Sequence, residues 1–305
     1  VKHEPSDRED GDQLSRLYKE YKTSLKDVVV EEAVDLFFFR PLAFVLVKLL
    51  IRLPVTPNQL SILSILMGIC AGVFFSFGDP RSFVWAGLLY GLSHIFDCCD
   101  GMVARLKKNG TLIGRIIDGW ADYITSVSVY LGLLIGLHQG HIVLPFSPWL
   151  LLIPSAISLF VHSAMVDYYR HEFLAHGLGK SQTTYDELAM YHQEFQRLNK
   201  LGGHWLERLM ISFYLGYTRL QLKEGGAKRR YDQAGYYQAN RTLLQLWNWI
   251  GASTQIAVFI ASALLYQPMV YFFYMVVLGN IWMLGLLYFQ VRTNRRLTLL
   301  SDLAD

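Results

Sequence analysis

The chain has 305 residues, of which 52% are hydrophobic and only 17% charged, against roughly a quarter charged in an ordinary soluble protein. That balance excludes a water-solvated globule and makes the bilayer the expected solvent. A net charge of +3 and the lack of any nucleic-acid module argue against a nucleic-acid partner.

Residues 1–12 are polar, of mixed charge and expected to be mobile, and they do not resemble a cleavable signal peptide. Leu14, Leu17, Tyr18, Tyr21 and Leu25 then recur at helical spacing, which predicts an amphipathic helix on the membrane surface or against the bundle. The stretch 41–53 is apolar but short, with Lys48 and Arg52 four apart, and is expected to lie on the membrane. Thr56-Pro57-Asn58-Gln59 has the form of a capping box: Thr56 caps, Pro57 suits the first turn and Gln59 reaches back. Asn58 is alternatively placed to face a ligand.

Long apolar runs at 57–78, 82–105, 113–137, 147–170, 245–267 and 270–292 are each near the roughly 20 residues that cross a hydrocarbon core. The fold class expected is therefore an all-α integral membrane protein of six transmembrane helices preceded by an interfacial amphipathic helix. Arg81 is the sole Lys or Arg in the loops of one side, against clusters at Lys107–Lys108, Lys228–Arg230 and Arg292–Arg296. The positive-inside rule then puts both termini in the cytoplasm. A seven-span alternative would export Arg16, Lys19, Lys22 and Lys26. The expected organisation is a cytoplasmic segment 1–40, a membrane domain 41–292 and a tail 293–305, in a prokaryotic plasma membrane.

Between 171 and 244 runs a cytoplasmic insertion too polar to span. Leu188, Tyr191, Phe195 and Leu198 form one helical stripe, and Trp205, Leu206, Leu209, Met210 and Phe213 a second, with Gly202-Gly203 between them. Two interfacial helices account for the pattern; a lid or acceptor-selecting surface is the sharper reading. Gly68 and Gly72, Gly87 and Gly91, and Gly132 and Gly136 form G-x-x-x-G pairs, compatible with packing inside the chain or with a homodimer. Cys70, Cys98 and Cys99 show neither zinc spacing nor a disulfide framework and read as small apolar helix residues.

Chemistry concentrates in residues 97–122, DCCDGMVARLKKNGTLIGRIIDGWAD. Asp97 and Asp100 are three apart, and Gly114, Asp118 and Asp122 recur every four, so each set falls on one helix face. Two facing helices would gather four carboxylates that need cations to remain ionised together. All-oxygen ligation suits Mg²⁺ or Mn²⁺.

The pattern D-x₂-D-G-x₂-A-R-x₈-G-x₃-D-x₃-D resembles the signature of the CDP-alcohol phosphotransferase family, filled by Asp97, Asp100, Gly101, Ala104, Arg105, Gly114, Asp118 and Asp122. A chance match at one starting point has a probability on the order of 10⁻¹⁰. The resemblance implies a transferase that moves a phosphoalcohol from a CDP-linked donor to an alcohol acceptor and releases CMP, at least one of the two substrates being a lipid. It implies Asp97, Asp100 and Asp118 as ligands of two Mg²⁺ or Mn²⁺ ions, with Asp122 completing the set and taking the acceptor's proton. It also implies a cytidine pocket at Gly101, Ala104 and Gly114, where side chains without bulk let a nucleotide approach. Arg105 can offer donors to a diphosphate; snorkelling at a span end is its bland alternative. The division of base and ligand between Asp118 and Asp122 stays open.

His94, one turn before Asp97, reads better as a satisfied core histidine than as a site residue. By the resemblance, several family members with phosphorylated acceptors carry Lys or Arg where this chain has Tyr123, which weakens such an acceptor without excluding it, because Arg115, Arg170 and His171 could supply an anion pocket. Asp167, Tyr168 and Tyr169 lie near the same end. Phosphatidyl transfer from CDP-diacylglycerol, with an inositol-like acceptor as one case, is the leading expectation; transfer of a CDP-linked headgroup to a lipid alcohol is the alternative. A divalent-cation transporter is disfavoured because the carboxylates gather near one membrane face. A scaffold without activity is disfavoured by the intact Asp set.

Overall fold

A computed structural model describes residues 6–25, 27–110, 112–142, 144–179, 184–203, 205, 207–209, 211–212, 215–216 and 231–301. Among them there is no strand. Helix α1 spans Ser6–Ser24 and α2 Arg40–Leu50, the latter entered through a π-helical turn at Asp35–Phe39. Helices α3 (Pro57–Ser76), α4 (Pro80–Lys107), α5 (Leu112–His138) and α6 (Trp149–Glu172) follow. Beyond a second π turn at Phe173–Gly177 come α7 (Thr184–Leu201), α8 (Gln233–Trp247) and α9 (Ala252–Leu264). Then α10 (Pro268–Phe273) runs through a π turn at Tyr274–Leu278 into α11 (Gly279–Ser301).

Among the described residues, four stretches are long and apolar enough to cross a membrane: Pro57–Ser76, Ile117–His138, Trp149–Gly177 and Pro268–Leu297. They turn Ile62, Leu66, Val73, Val127, Leu131, Ile153, Ile157, Ile281 and Leu284 outward. Apolar surface on that scale, with backbone bonds closed inside helices, is what a lipid-facing bundle presents. The protein is a multi-pass membrane protein. Helix α4 carries five charged groups, Arg81, Asp97, Asp100, Arg105 and Lys107. The run expected as one span at 245–267 is broken: α8 ends at Trp247, a 3₁₀ turn takes Asn248–Ile250, and α9 starts after Gly251.

The break has a local cause. Gly251 is the N-cap of α9 and brings no capping side chain; the oxygen comes from Glu32, whose Oε2 accepts from the Thr254 N–H at 3.2 Å. A Cβ on residue 251 would stand 2.3 Å from Glu32 Oε1, so glycine is what lets a distant carboxylate satisfy an orphan helix donor.

Helix α3 lies between α4 and α5 and packs closely along both. Its start is the expected capping box: Thr56 N donates to Gln59 Oε1 at 2.9 Å and Gln59 N to Thr56 Oγ1 at 3.4 Å, while Asn58 is exposed. The crossing of α3 and α5 is tight enough that a Cβ on Gly132 would sit 1.9 Å from the Gly72 carbonyl oxygen. Gly87 and Gly91 face Ile260 and Ala263 of α9 in the same manner. All three G-x-x-x-G pairs thus serve contacts within the chain.

One apolar core joins Phe75, Phe83, Leu133, Phe259 and Tyr271 at the end of the bundle away from the aspartates. A second, nearer them, joins Phe39, Val47, Leu60, Cys99 and Met102. The three cysteines are free, Cys98 and Cys99 buried and Cys70 exposed.

The N-terminal stripe forms as a helix, with Leu25 and Tyr21 turned inward and Leu17 and Tyr18 outward; the Leu14 side chain lies outside the described residues. Helix begins already at Ser6, inside the stretch expected to be mobile. In α7, Tyr191 and Leu198 are buried, and Gly202 and Gly203 break the chain with positive φ. Of the second stripe, Trp205 and Leu209 are exposed, and the buried residues nearby are Ile211 and Leu215, which the stripe does not include; Leu206, Met210 and Phe213 lie outside the described residues, as do Lys228–Arg230, and so do the side chains of Leu188 and Arg115. The last part of the segment 171–244 is α8, which buries Tyr236, Asn240 and Leu244, and α11 continues past 292 to Ser301.

Candidate active site

The aspartates converge above the first turns of α3. Asp97, Asp100 and Asp118 each place a carboxylate oxygen within 4.8 Å of the other two. Helices α4 and α5 pack on α3 far more than on each other, so the carboxylates meet across the N-terminal end of α3, not along a shared seam. Ser61 of α3 closes that side: its hydroxyl donates to Asp100 Oδ2 at 2.5 Å. Asp97 Oδ1 is buried with no hydrogen-bond partner. An orphaned carboxylate oxygen in an all-oxygen trio fits a hard divalent cation, and the residues that would hold it are Asp97, Asp100 and Asp118.

Asp122 is not one of the trio. It is exposed, yet near enough for its charge to bear on both Asp97 and Asp100. Gly101, Ala104 and Gly114 are partly buried and offer no bulk beside the cluster. The Arg105 guanidinium folds back over Gly101, where a Cβ would meet Nη1 at 3.3 Å. Its Nε donates to the Ser24 carbonyl at 2.5 Å, and its Nη2 is buried without a partner.

Around this centre lies a polar network that the sequence reading missed. The segment joining α1 to α2 buries Glu31, Glu32, Asp35 and Arg40. Arg40 pairs with Glu31 at 3.2 Å, and His94 Nε2 meets Asp35 Oδ1 at 3.3 Å. Glu32 meets Arg170 at 3.4 Å besides capping α9, and burial pushes its carboxyl up to about 7 against the pull of Arg170. Arg170 also contacts Asp167 and Asn248, each at 3.4 Å. It is therefore engaged in holding α6 to the N-terminal segment, which weakens it as a member of an anion pocket. His171, Tyr168 and Tyr123 are exposed, and Tyr169 stacks on Trp247 at 4.7 Å. Lys107, a weaker candidate than Arg105 for the diphosphate because a basic turn is expected here for topology, donates to the Leu53 and Val55 carbonyls at 3.0 and 2.8 Å and pins the α2–α3 turn to α4.

The model of the CDP-alcohol phosphatidyltransferase family matches residues 54–206, half of the chain and all of the aspartate site. The chain belongs to that family. It is 33% identical over 123 residues to the phosphatidylinositol phosphate synthase of Corynebacterium glutamicum, covering 40% of this chain and 53% of that protein. It is 36% identical over 74 residues to the bifunctional IPC transferase and DIPP synthase of Archaeoglobus fulgidus, covering 23% of this chain and 14% of that protein. With the archaetidylinositol phosphate synthase of Pyrococcus horikoshii it shares 28% over 89 residues, 29% of this chain and 46% of that protein. The chain thus spans about half or less of the length of each of these relatives.

Proposed function

We propose that the protein is a divalent-metal-dependent CDP-alcohol phosphotransferase of phospholipid synthesis, moving a phosphatidyl group from CDP-diacylglycerol to an alcohol and releasing CMP. The observation that carries this is the Asp97–Asp100–Asp118 trio within 4.8 Å inside the region matched to the family. Mg²⁺ or Mn²⁺ held there would screen the diphosphate charge and stabilise the leaving CMP. In the reaction the acceptor's hydroxyl oxygen attacks the phosphorus bearing the diacylglycerol. The bond from that phosphorus to the bridging oxygen breaks, and CMP departs with the electron pair. Asp122, exposed and outside the trio, is suited to receive the hydroxyl proton. The unpartnered Nη2 of Arg105 over Gly101 supports binding of the donor diphosphate, with Ala104 and Gly114 leaving room for the nucleotide.

Two relatives are named phosphatidylinositol phosphate synthase and archaetidylinositol phosphate synthase, and an inositol-type acceptor is the class we assign. Tyr123 and the engagement of Arg170 favour the unphosphorylated polyol. The competing reading, a CDP-linked headgroup passed to a lipid alcohol, uses the same residues. In topology the proposal takes α3, α4, α5, α6, α9 and the α10–α11 rod as six spans with the site facing the cytoplasm. Helix α2 then lies on the membrane, which its outward Leu42, Val45 and Leu49 support, and the 171–244 segment acts on acceptor access. A homodimer draws no support from the glycine pairs.

The test is CMP release by the purified chain from CDP-diacylglycerol offered inositol, inositol phosphate or glycerol phosphate in turn. Release with inositol is expected. Turnover only with CDP-linked headgroups and a lipid alcohol would replace this reading by its competitor.

A further inference from the structure

A second group of ligand-type side chains lies on another face of α4. His94 and Cys98 are four residues apart and so share one face, while Asp97 and Cys98, consecutive, point about 100° apart around the helix. Asp35, at the start of the first π turn, meets that face from the N-terminal segment. Asp35, His94 and Cys98 each place one ligand atom within 4.8 Å of the other two.

The geometry and chemistry both fit a metal. Asp35 Oδ1 and His94 Nε2 are 3.3 Å apart, matching the edge of a tetrahedron with bonds of about 2.0 Å, which is about 3.3 Å. Asp35 is 7% and Cys98 4% exposed. The His94 ring is held edge-on by Phe39 at a centroid distance of 4.5 Å, and Ser253 hydrogen-bonds to Asp35. Ligand rings and carboxylates oriented by such neighbours are usual around bound metals. The nearby cation Arg40 pairs with Glu31, and its charge also bears on Asp35 and Cys98. A thiolate, an imidazole and a carboxylate favour a borderline-soft cation over Mg²⁺.

We propose that Asp35, His94 and Cys98 form a second metal site, for a Zn²⁺-class cation, which clamps the N-terminal segment to α4 apart from the all-carboxylate centre. Asp35 precedes the family-matched residues 54–206, so the clamp joins a segment outside that region to the helix carrying Asp97 and Asp100. The site goes beyond the proposed activity and stands or falls independently of it.

The experiment uses the full chain in detergent, stripped of metal and saturated with Mg²⁺, then titrated with Co²⁺ as the probe. A thiolate-to-cobalt charge-transfer band saturating near about one equivalent, and lost on adding Zn²⁺, is expected. Cys98→Ser and His94→Ala should lose the band, whereas Cys70→Ala and Asp118→Asn should keep it. Wild-type protein with no such band overturns the proposal without recourse to any variant, leaving Asp35 and His94 a hydrogen-bonded pair. A band that survives Cys98→Ser in a helical, monodisperse sample overturns it equally.

Discussion

Ser61 on α3 donates its hydroxyl hydrogen to Asp100 Oδ2 on α4 at 2.5 Å, and both side chains are buried, at 3% and 5% exposure. The bond orients the carboxylate that Asp100 brings to the trio. Ser61→Ala should lower metal affinity by about 10–100-fold, the effect usual for losing a group that orients a ligand. Isothermal titration with Mn²⁺ measures it, and unchanged affinity would mean that packing alone holds Asp100.

The trio depends on how closely α5 approaches α3. Gly132→Ala would drive a methyl against the Gly72 carbonyl and should cost about 1–3 kcal/mol or more, with turnover falling as Asp118 moves from its partners. Gly119, where a Cβ meets nothing within 4 Å, is the control: Gly119→Ala should leave stability unchanged or raise it by up to about 1 kcal/mol. Thermal unfolding of the two variants in one detergent decides. Equal melting temperatures would show that the crossing tolerates more than its geometry allows.

Glu32 predicts a pH dependence. Its carboxyl is raised by burial to about 7, above its unfolded value, so its contribution to stability is fully present below about pH 4.5 and is lost as pH rises through about 7. Wild-type protein should melt lower at about pH 8 than at about pH 6, and Glu32→Gln should shrink that difference. If the difference survives in Glu32→Gln, another group is responsible.

Much of this site could be read from the residues. Four aspartates at three- and four-residue intervals determine which helix faces meet, and Thr56 and Gln59 locate the start of α3 to the residue. What escaped reading did so for physical reasons. Ser61 is one small hydroxyl in an apolar helix, and nothing local marks it as the partner of Asp100. Glu31, Glu32, Asp35 and Arg40 look like a solvated polar segment: Glu31 and Arg40 pair with each other, but the burial of Asp35 and Glu32 depends on His94 and Arg170, far away in sequence. The break at Gly251 vanished into an apolar run, since the carboxylate that caps α9 there belongs to Glu32.

Asp122 lies outside the trio, and the account gives it the proton. Asp122→Asn keeps the shape and abolishes the base, so turnover should fall by about 10²–10⁴-fold, with donor binding much less affected. Parallel loss of donor and metal binding would make Asp122 a ligand and leave the proton acceptor elsewhere.

The most direct test of the central claim is CMP release from CDP-diacylglycerol and inositol by the metal-stripped chain as Mg²⁺ or Mn²⁺ is titrated back, wild type beside Asp118→Ala. The account predicts no release without metal, recovery on titration in the wild type, and none in Asp118→Ala. Full release from the stripped wild type, or full recovery in the variant, would contradict a metal-dependent transfer centred on these carboxylates.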